Sequence, residues 1–435
     1  MKKSSKYNIW IDNILYNSFS DKAISFLEEE VETVKNLIQN SNEYEENNKN
    51  ILQQFEQLGF IVDSNFDELE YILFRNRIEI FQKERYHLTI NPTLQCNYRC
   101  WYCCVEEQET KYEQRRMDDE TIEKVKNHIR YMIEEEKIKY LHLNWFGGEP
   151  LMYFYEVIYP ISKFAVDICT KNNIIFSNHA TTNAYYVDDK MLICFQEIKL
   201  ASFQIPIDGN EKKHNLVKNI NGVGHYKQIL DSINKIIEQV DNSRITMRIN
   251  YDLNTLKEAT EIIQDIKKNN RDKIFVDFQR VWQVKLQKNE QGNNELLIKV
   301  KKEFEDAGFN SNYFAYRRNY GYKSCAADCF YNYSINYDGK IYKCSARDYA
   351  DDLCIGIFDK NGNIKFNNGI ISKMFSDTTF KNEVCLNCVK LPLCFGPCVQ
   401  KYYEDKIGKQ EFYCLHDFAE ISFENYVKSK IIITK

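Results

Sequence analysis

Three cysteines, Cys96, Cys100 and Cys103, fall within eight residues of one another. Three thiolates can hold three irons of a four-iron cluster and leave the fourth iron open to another ligand, whereas a pure electron carrier is normally closed by four cysteines. Two plainer readings are a zinc knuckle or three buried thiols; zinc, however, prefers four ligands and usually pairs its cysteines differently. A second group comprises Cys325, Cys329, Cys344, Cys385, Cys388, Cys394, Cys398 and Cys414. The chain has 15 cysteines, and twelve of them lie within 96–104 or form this second group. Clustering of that kind in a cytosolic protein points to metal or redox chemistry rather than disulfides. The start, Met1-Lys-Lys-Ser-Ser-Lys-Tyr, has no apolar core of a signal peptide. No apolar run approaches a membrane span, so a cytoplasmic, soluble chain without membrane contact is expected. A net charge of -5 gives no basic face for nucleic acid.

Those residues need elements to position them. At 435 residues, two or three domains are expected, and 43% hydrophobic residues suffice for a core. The segmentation read from the sequence is 1–85, 86–310 and 311–435. In the first segment, Tyr7–Ile11 and Ile14–Phe19 read as strands turning through Asp12-Asn13. Helices follow over Glu28–Gln39, up to Leu58 before Gly59, and from Phe66 to about Lys83, with a short strand at Phe60–Asp63. This pattern suits a winged-helix-like α+β unit. Strand-like runs then recur at His87–Ile90, Tyr140–Phe146, Ile174–Thr182, Leu200–Ile207, Ile245–Tyr251 and Ile274–Val281. Helical patterns lie between them, one carrying Ile122, Val125, Ile129, Met132 and Ile133. Six strand–helix units predict a parallel sheet with helices outside. Reactive groups in such sheets collect at the C-terminal ends of the strands, where the cysteine loop falls after the first. Gly147-Gly148-Glu149-Pro150 ends the second strand; the glycines let the backbone approach a ligand, and Pro150 suits the first turn of a helix.

The spacing Cys-x3-Cys-x2-Cys, with aromatic Tyr102 before the third cysteine, resembles the signature of the radical SAM enzymes. The resemblance implies a partial (β/α)6 barrel whose open iron chelates S-adenosylmethionine, and an electron from the cluster that releases a 5′-deoxyadenosyl radical. It implies that Gly147, Gly148, Glu149 and Pro150 bind the cofactor's amino group, with Tyr102 beside it. Ala180-Thr-Thr-Asn183 resembles the family's Thr-Thr-Asn-Gly, with Ala184 in the glycine position, and implies cofactor contacts by Thr182 and Asn183. Ile207-Asp208-Gly209 followed by His214 resembles a segment of peptide-modifying members. It makes Asp208 a candidate catalytic group near the substrate, a plain turn residue being the alternative. Arg248 and Asn250 alternate with Met247, Ile249 and Tyr251; facing inward they suit the cofactor's carboxylate or ribose, facing solvent they carry no function.

The second cysteine group resembles the SPASM extension, which carries auxiliary 4Fe–4S clusters in peptide and protein maturases. The resemblance implies one auxiliary cluster on Cys385, Cys388, Cys394 and Cys414 and another on Cys325, Cys344 and Cys398, three clusters in all with the first. Some members place a fourth ligand six residues after the first cysteine, where this chain has Tyr331. Cys329 substitutes for it, or an open iron is left for a substrate thiolate. Cys104, Cys169, Cys194 and Cys354 read as ordinary buried thiols or, for Cys354, as a hydrogen-atom donor to a substrate radical. The N-terminal unit loosely resembles the peptide-recognition domain fused to such enzymes, which captures a leader peptide as an added strand; a simple cap is the other reading. The whole implies an oxidoreductase that crosslinks a ribosomally made precursor peptide through a C–S, C–C or related bond, served by a flavodoxin- or ferredoxin-type reductant. A sulfatase maturase making formylglycine, a peptide epimerase, and a non-enzymatic iron–sulfur carrier are the alternatives.

Overall fold

The computed structural model describes residues 1–42, 48–105, 116–281, 292–313, 321–376, 379–409, 414, 419 and 421–431. The chain forms two compact units, each drawing on more than one of the three sequence segments. One comprises Gln82–Tyr313 and Phe330–Ser372, the other Met1–Phe81, Phe314–Cys329 and Lys373–Lys435.

The first of these units is built on an open, mostly parallel sheet of eleven strands. Its strands are β1 (Arg85–Ile90), β2 (Tyr140–Trp145), β3 (Ile175–Thr181), β4 (Leu200–Ile207), β5 (Arg244–Tyr251), β6 (Ile274–Arg280), β7 (Asn310–Tyr313), β8 (Asn332–Ile335), β9 (Lys340–Tyr342), β10 (Gly356–Phe358) and β11 (Ile364–Phe366). Their order across the sheet is β7-β6-β5-β4-β3-β2-β1-β8-β9-β10-β11. The six expected strands form the middle, in parallel register. One face packs on helices: Leu141, Leu143 and Trp145 of β2 are fully buried, while Tyr140, His142 and Asn144 between them stay partly exposed. Helix Asp119–Glu134 sets Ile122, Val125, Ile129, Met132 and Ile133 into the core, as its period predicts. Asp118, Asp188, Asn210 and Asp252 cap the helices that follow their loops, each accepting a first-turn amide.

Sequence reasoning missed both edges of this sheet. β7 (Asn-Ser-Asn-Tyr) adds a seventh parallel strand beside β6. On the other side β8 pairs parallel with β1, Asn332 against His87 through Ile335 against Ile90, and β9, β10 and β11 continue antiparallel.

In the other unit, strands Asn8–Ile11, Ile14–Asn17 and Lys22–Ser25 form an antiparallel sheet. Asp12 takes φ +51° in its first turn. Strands Lys2–Ser4 and Ile61–Asp63 pair separately. Helices Val31–Gln39 and Lys49–Gln57 bury Val34, Leu37, Ile38, Leu52 and Phe55 against Leu15, Phe60 and Ile61. Gly59, at φ +83°, ends the second helix as punctuation predicts. Helix Glu68–Ile80 contributes Ile72 to a smaller core with Tyr7, Leu391 and Phe395, so the N-terminal fold packs on the chain that carries the last cysteines.

Candidate active site

The loop after β1 carries Cys96, Cys100 and Cys103. Burial raises the Cys96 thiol pKa, and the charges of Glu149, Cys100 and Cys103 raise it further, so the three sulfurs share one environment. A buried thiol of this kind keeps its proton until a metal replaces it. The amides of Tyr98 and Val105 each donate to the sulfur two residues back, Cys96 and Cys103, at 3.4 Å. The same turn recurs at Cys344 from Ala346 (3.4 Å), at Cys388 from Lys390 (3.4 Å) and at Cys394 from Gly396 (3.3 Å). Amides aimed at sulfur stabilise a thiolate and tune a cluster's potential, so this donor set fits iron–sulfur ligation. Among the described residues no three His, Cys, Asp or Glu side chains converge on a single-ion site; a cubane asks instead for one thiolate per iron spread over its core.

Gly147 and Gly148 pack closely on the segment that leads into the cysteine loop. The chain they approach is their own protein: a Cβ at Gly147 would sit 2.2 Å from the Thr93 carbonyl oxygen, and one at Gly148 2.0 Å from that of Gln95. Gly148 N–H donates to Thr93 O (3.1 Å) and Glu149 N–H to Gln95 O (2.7 Å), which fastens the end of β2 to the segment leading into Cys96. Pro150 opens a short 3-10 turn, as expected. Glu149 is 1% exposed, and its carboxylate accepts from Leu151 N–H (2.9 Å), the Thr182 hydroxyl (2.6 Å) and Asn183 N–H (2.7 Å). Burial pushes this carboxyl up to about 7 against the pull of those bonds. Asn183 also donates to Asn97 Oδ1 at 2.7 Å, so the ends of β2 and β3 and the cysteine loop meet. Ala184, at φ +59°, adopts the left-handed conformation that glycine takes without strain.

Tyr102 is held on another side. Its hydroxyl donates to Asp208 Oδ1 (2.6 Å) and accepts from Lys218 Nζ (2.6 Å) and Asn250 Nδ2 (3.2 Å). Lys218 also pairs directly with Asp208, and both are about 2% exposed. Burial alone would raise the Asp208 carboxyl and lower the Lys218 ammonium. Their mutual attraction prevails, holding Asp208 below its ordinary range and Lys218 well above. His214 accepts the Asp208 amide at 3.3 Å. Arg248 donates to Asn250 Oδ1 at 3.1 Å, and both lie on the face of β5 opposite buried Met247, Ile249 and Tyr251. Both Asp208 oxygens are engaged, Oδ1 by Tyr102 and Asn250 and Oδ2 by Lys218. Sequence reasoning missed Lys218: a lysine among 58 basic residues gives no local signal.

In the other unit, Cys385, Cys388, Cys394 and Cys414 are brought together. Burial raises Cys394 to about 12, with further contributions from Cys388, Cys385 and Cys414. Asn382 caps the turn bearing Cys385, and Phe395 at φ +55° and Gly396 at φ +69° bend the chain after Cys394. Cys325 and Cys329 flank the turn Ala326–Asp328, and Cys398 precedes helix Val399–Lys406. The Cys329 sulfur faces the Glu79 carbonyl oxygen at 3.9 Å. Buried Asp328, also missed from sequence, accepts amides from both stretches; burial pushes its carboxyl up to about 6. Cys344 belongs to the sheet unit. So does Cys354, whose sulfur donates to Gly356 O at 3.2 Å, with Lys340 and Tyr342 of β9 near it.

Residues 90–266 match the Radical SAM superfamily, a stretch that includes the loop, the Gly-Gly-Glu-Pro turn and the ends of β3 to β5 just described. No curated protein sequence matches the chain. Among solved structures it is similar to anSMEcpe with bound AdoMet, at 17% identity and TM-score 0.55 over 79% of this chain and 95% of that one. It is similar to Streptococcus suis SuiB bound to S-adenosylmethionine, at 15% identity and TM-score 0.52 over 95% and 97%. SuiB bound to precursor peptide SuiA gives 16% and 0.52 over 95% and 98%. At such identities the likeness establishes the fold. Among the described residues no helix is long and apolar enough to cross a membrane.

Proposed function

We propose that this chain is a radical SAM enzyme that modifies a ribosomally made peptide, closing a C–S, C–C or related bond. The observation that carries the reading is the meeting of the three-cysteine loop with Glu149, Thr182 and Asn183 inside a radical SAM domain. In this reading Cys96, Cys100 and Cys103 hold the cluster that binds S-adenosylmethionine. Cys385, Cys388, Cys394 and Cys414 hold one auxiliary cluster, and Cys325, Cys329, Cys344 and Cys398 the other. When bound, the first cluster and its cofactor supply a 5′-deoxyadenosyl radical that abstracts a substrate hydrogen. Glu149, Thr182 and Asn183 hold the cofactor's amino end, Arg248 and Asn250 its carboxylate or ribose, and Asp208 keeps Tyr102 and the loop in place. A flavodoxin- or ferredoxin-type protein delivers the electron.

The unit containing residues 1–81 takes the leader of the precursor along strand Lys22–Ser25, which pairs on one side only among the described residues. The likeness to SuiB, solved with its precursor peptide, supports this part of the reading, because it runs over 95% of the chain. The test is direct. Anaerobically reconstituted protein with dithionite should cleave S-adenosylmethionine and hold roughly twelve irons per chain, from three cubanes. Replacing Cys96, Cys100 and Cys103 together by Ala should abolish cleavage and leave two clusters' worth of iron. Stoichiometric zinc with little iron and no cleavage by the unaltered protein overturns the reading.

A further inference from the structure

One buried carboxylate joins two cysteine-bearing stretches that lie far apart in the chain. Asp328 is 7% exposed. Its Oδ2 accepts from Ser324 N–H (2.9 Å) and Cys325 N–H (3.0 Å), and its Oδ1 accepts from Val399 N–H (2.9 Å). Val399 is the first residue of helix Val399–Lys406, whose N-cap, Cys398, makes no side-chain cap bond of its own. Asp328 supplies that missing cap from 71 residues away. The same anion satisfies one orphan amide at the helix start, where the helix dipole favours negative charge, and holds the backbone amide of Cys325. The separation and direction of Cys325 and Cys398 are thereby set by one side chain.

We propose that Asp328 is the positioning residue of the auxiliary cluster held by Cys325 and Cys398, and that its fixed negative charge keeps that cluster's reduction potential low. The proposal rests on the ligand set given above. Net charge and hydrogen bonds near the sulfurs set the potential of such clusters, and outer partners orient their ligands. Here the amides of Cys325 and Val399 point at the carboxylate, and the charge beside the cluster opposes the addition of an electron.

Two variants of the full chain separate geometry from charge. Asp328→Asn removes the charge and leaves one acceptor oxygen for donors on two sides. Val399→Pro keeps the charge and deletes a single amide. Proline is tolerated at a first helical position, and Cys398, at φ -74° and ψ 165°, already has the extended backbone that a residue before proline adopts. In reconstituted protein, Asp328→Asn should shift the midpoint of one auxiliary cluster to a more positive potential. Val399→Pro should alter the reduced spectrum of that same cluster with full iron content, and in both variants the signal of the cluster on Cys96–Cys103 should match wild type. If Val399→Pro gives wild-type auxiliary spectra, the positioning role is overturned, even if Asp328→Asn fails to fold. If Asp328→Asn folds with a wild-type potential, the charge effect is overturned. Absence of auxiliary signals from the wild-type protein would instead strike the ligand set.

Discussion

In the function proposed, the loop Cys96–Cys103 and the segment Cys385–Cys394 face the same task, and they are held by different means. The first is held by side chains from distant strands: Tyr102 reaches Asp208, Lys218 and Asn250, and Asn97 meets Asn183. The second relies on short-range backbone geometry, an Asn382 cap, two amide-to-sulfur turns and left-handed residues at 395 and 396. A segment that only holds cysteines is served by turns. A site that must also seat a polar cofactor and a substrate needs charged groups held rigid in a buried place, and those have to be tied to one another.

Breaking the long-range ties should therefore cost most. Lys218→Met leaves Asp208 buried without its ammonium, and loss of one partner of a buried pair costs about 3–5 kcal/mol. Urea unfolding should show that loss, and the double variant Lys218→Met/Asp208→Asn should recover most of it. A single variant within 1 kcal/mol of wild type would mean the pair is not what holds the loop.

Glu149 sharpens the comparison through pH. Its carboxyl is raised by burial from 4.5 to about 7. Between those values this group holds its proton more in the folded state than in the unfolded one, so its contribution to stability is fully present below pH 4.5 and is lost as pH rises through 7. The linkage amounts to about 3 kcal/mol across that window. Glu149→Gln should remove this descending slope from unfolding curves taken between pH 4.5 and 7.5; an unchanged slope would assign it to another group.

The smallest effect is expected from a local tie. Asn382→Ala removes an N-cap, worth about 1 kcal/mol, without disturbing a buried charge. Unfolding should register that loss, with the cluster signal of Cys96–Cys103 unaltered.

The middle of the fold was legible because buried parallel strands read as apolar runs and their helices keep a 3.6-residue period. Six strands were found within a residue or two of their ends. β7, with its polar Asn-Ser-Asn-Tyr, and the three- and four-residue strands β8 to β11 carry too little pattern to read. Strands Lys2–Ser4 and Lys22–Ser25 escaped for the same reason. At the site, motif residues such as Glu149 were visible from their spacing, while Lys218 and Asp328 act through partners that only folding brings near. The glycines at 147 and 148 stood out for their freedom, while their close packing on Thr93 and Gln95 is a contact that no local pattern reveals.

The pairing of β8 with β1 also governs how the chain can fold. β1 is made early, and its outer neighbour, which begins at Asn332, is made late. Until that stretch is made, β1 presents an unpaired row of backbone groups on its outer side, where His87 N–H and Asn91 N–H later donate to Tyr331 O and Ile335 O, beside Leu88 and Ile90, both fully buried in the finished sheet. Such an edge is a template for the wrong partner, and contacts this far apart in sequence are slow to form. A chain stopped before β8 is left with that edge bare, so the C-terminal hairpins act as the closing piece of the eleven-stranded sheet as well as carriers of Cys344.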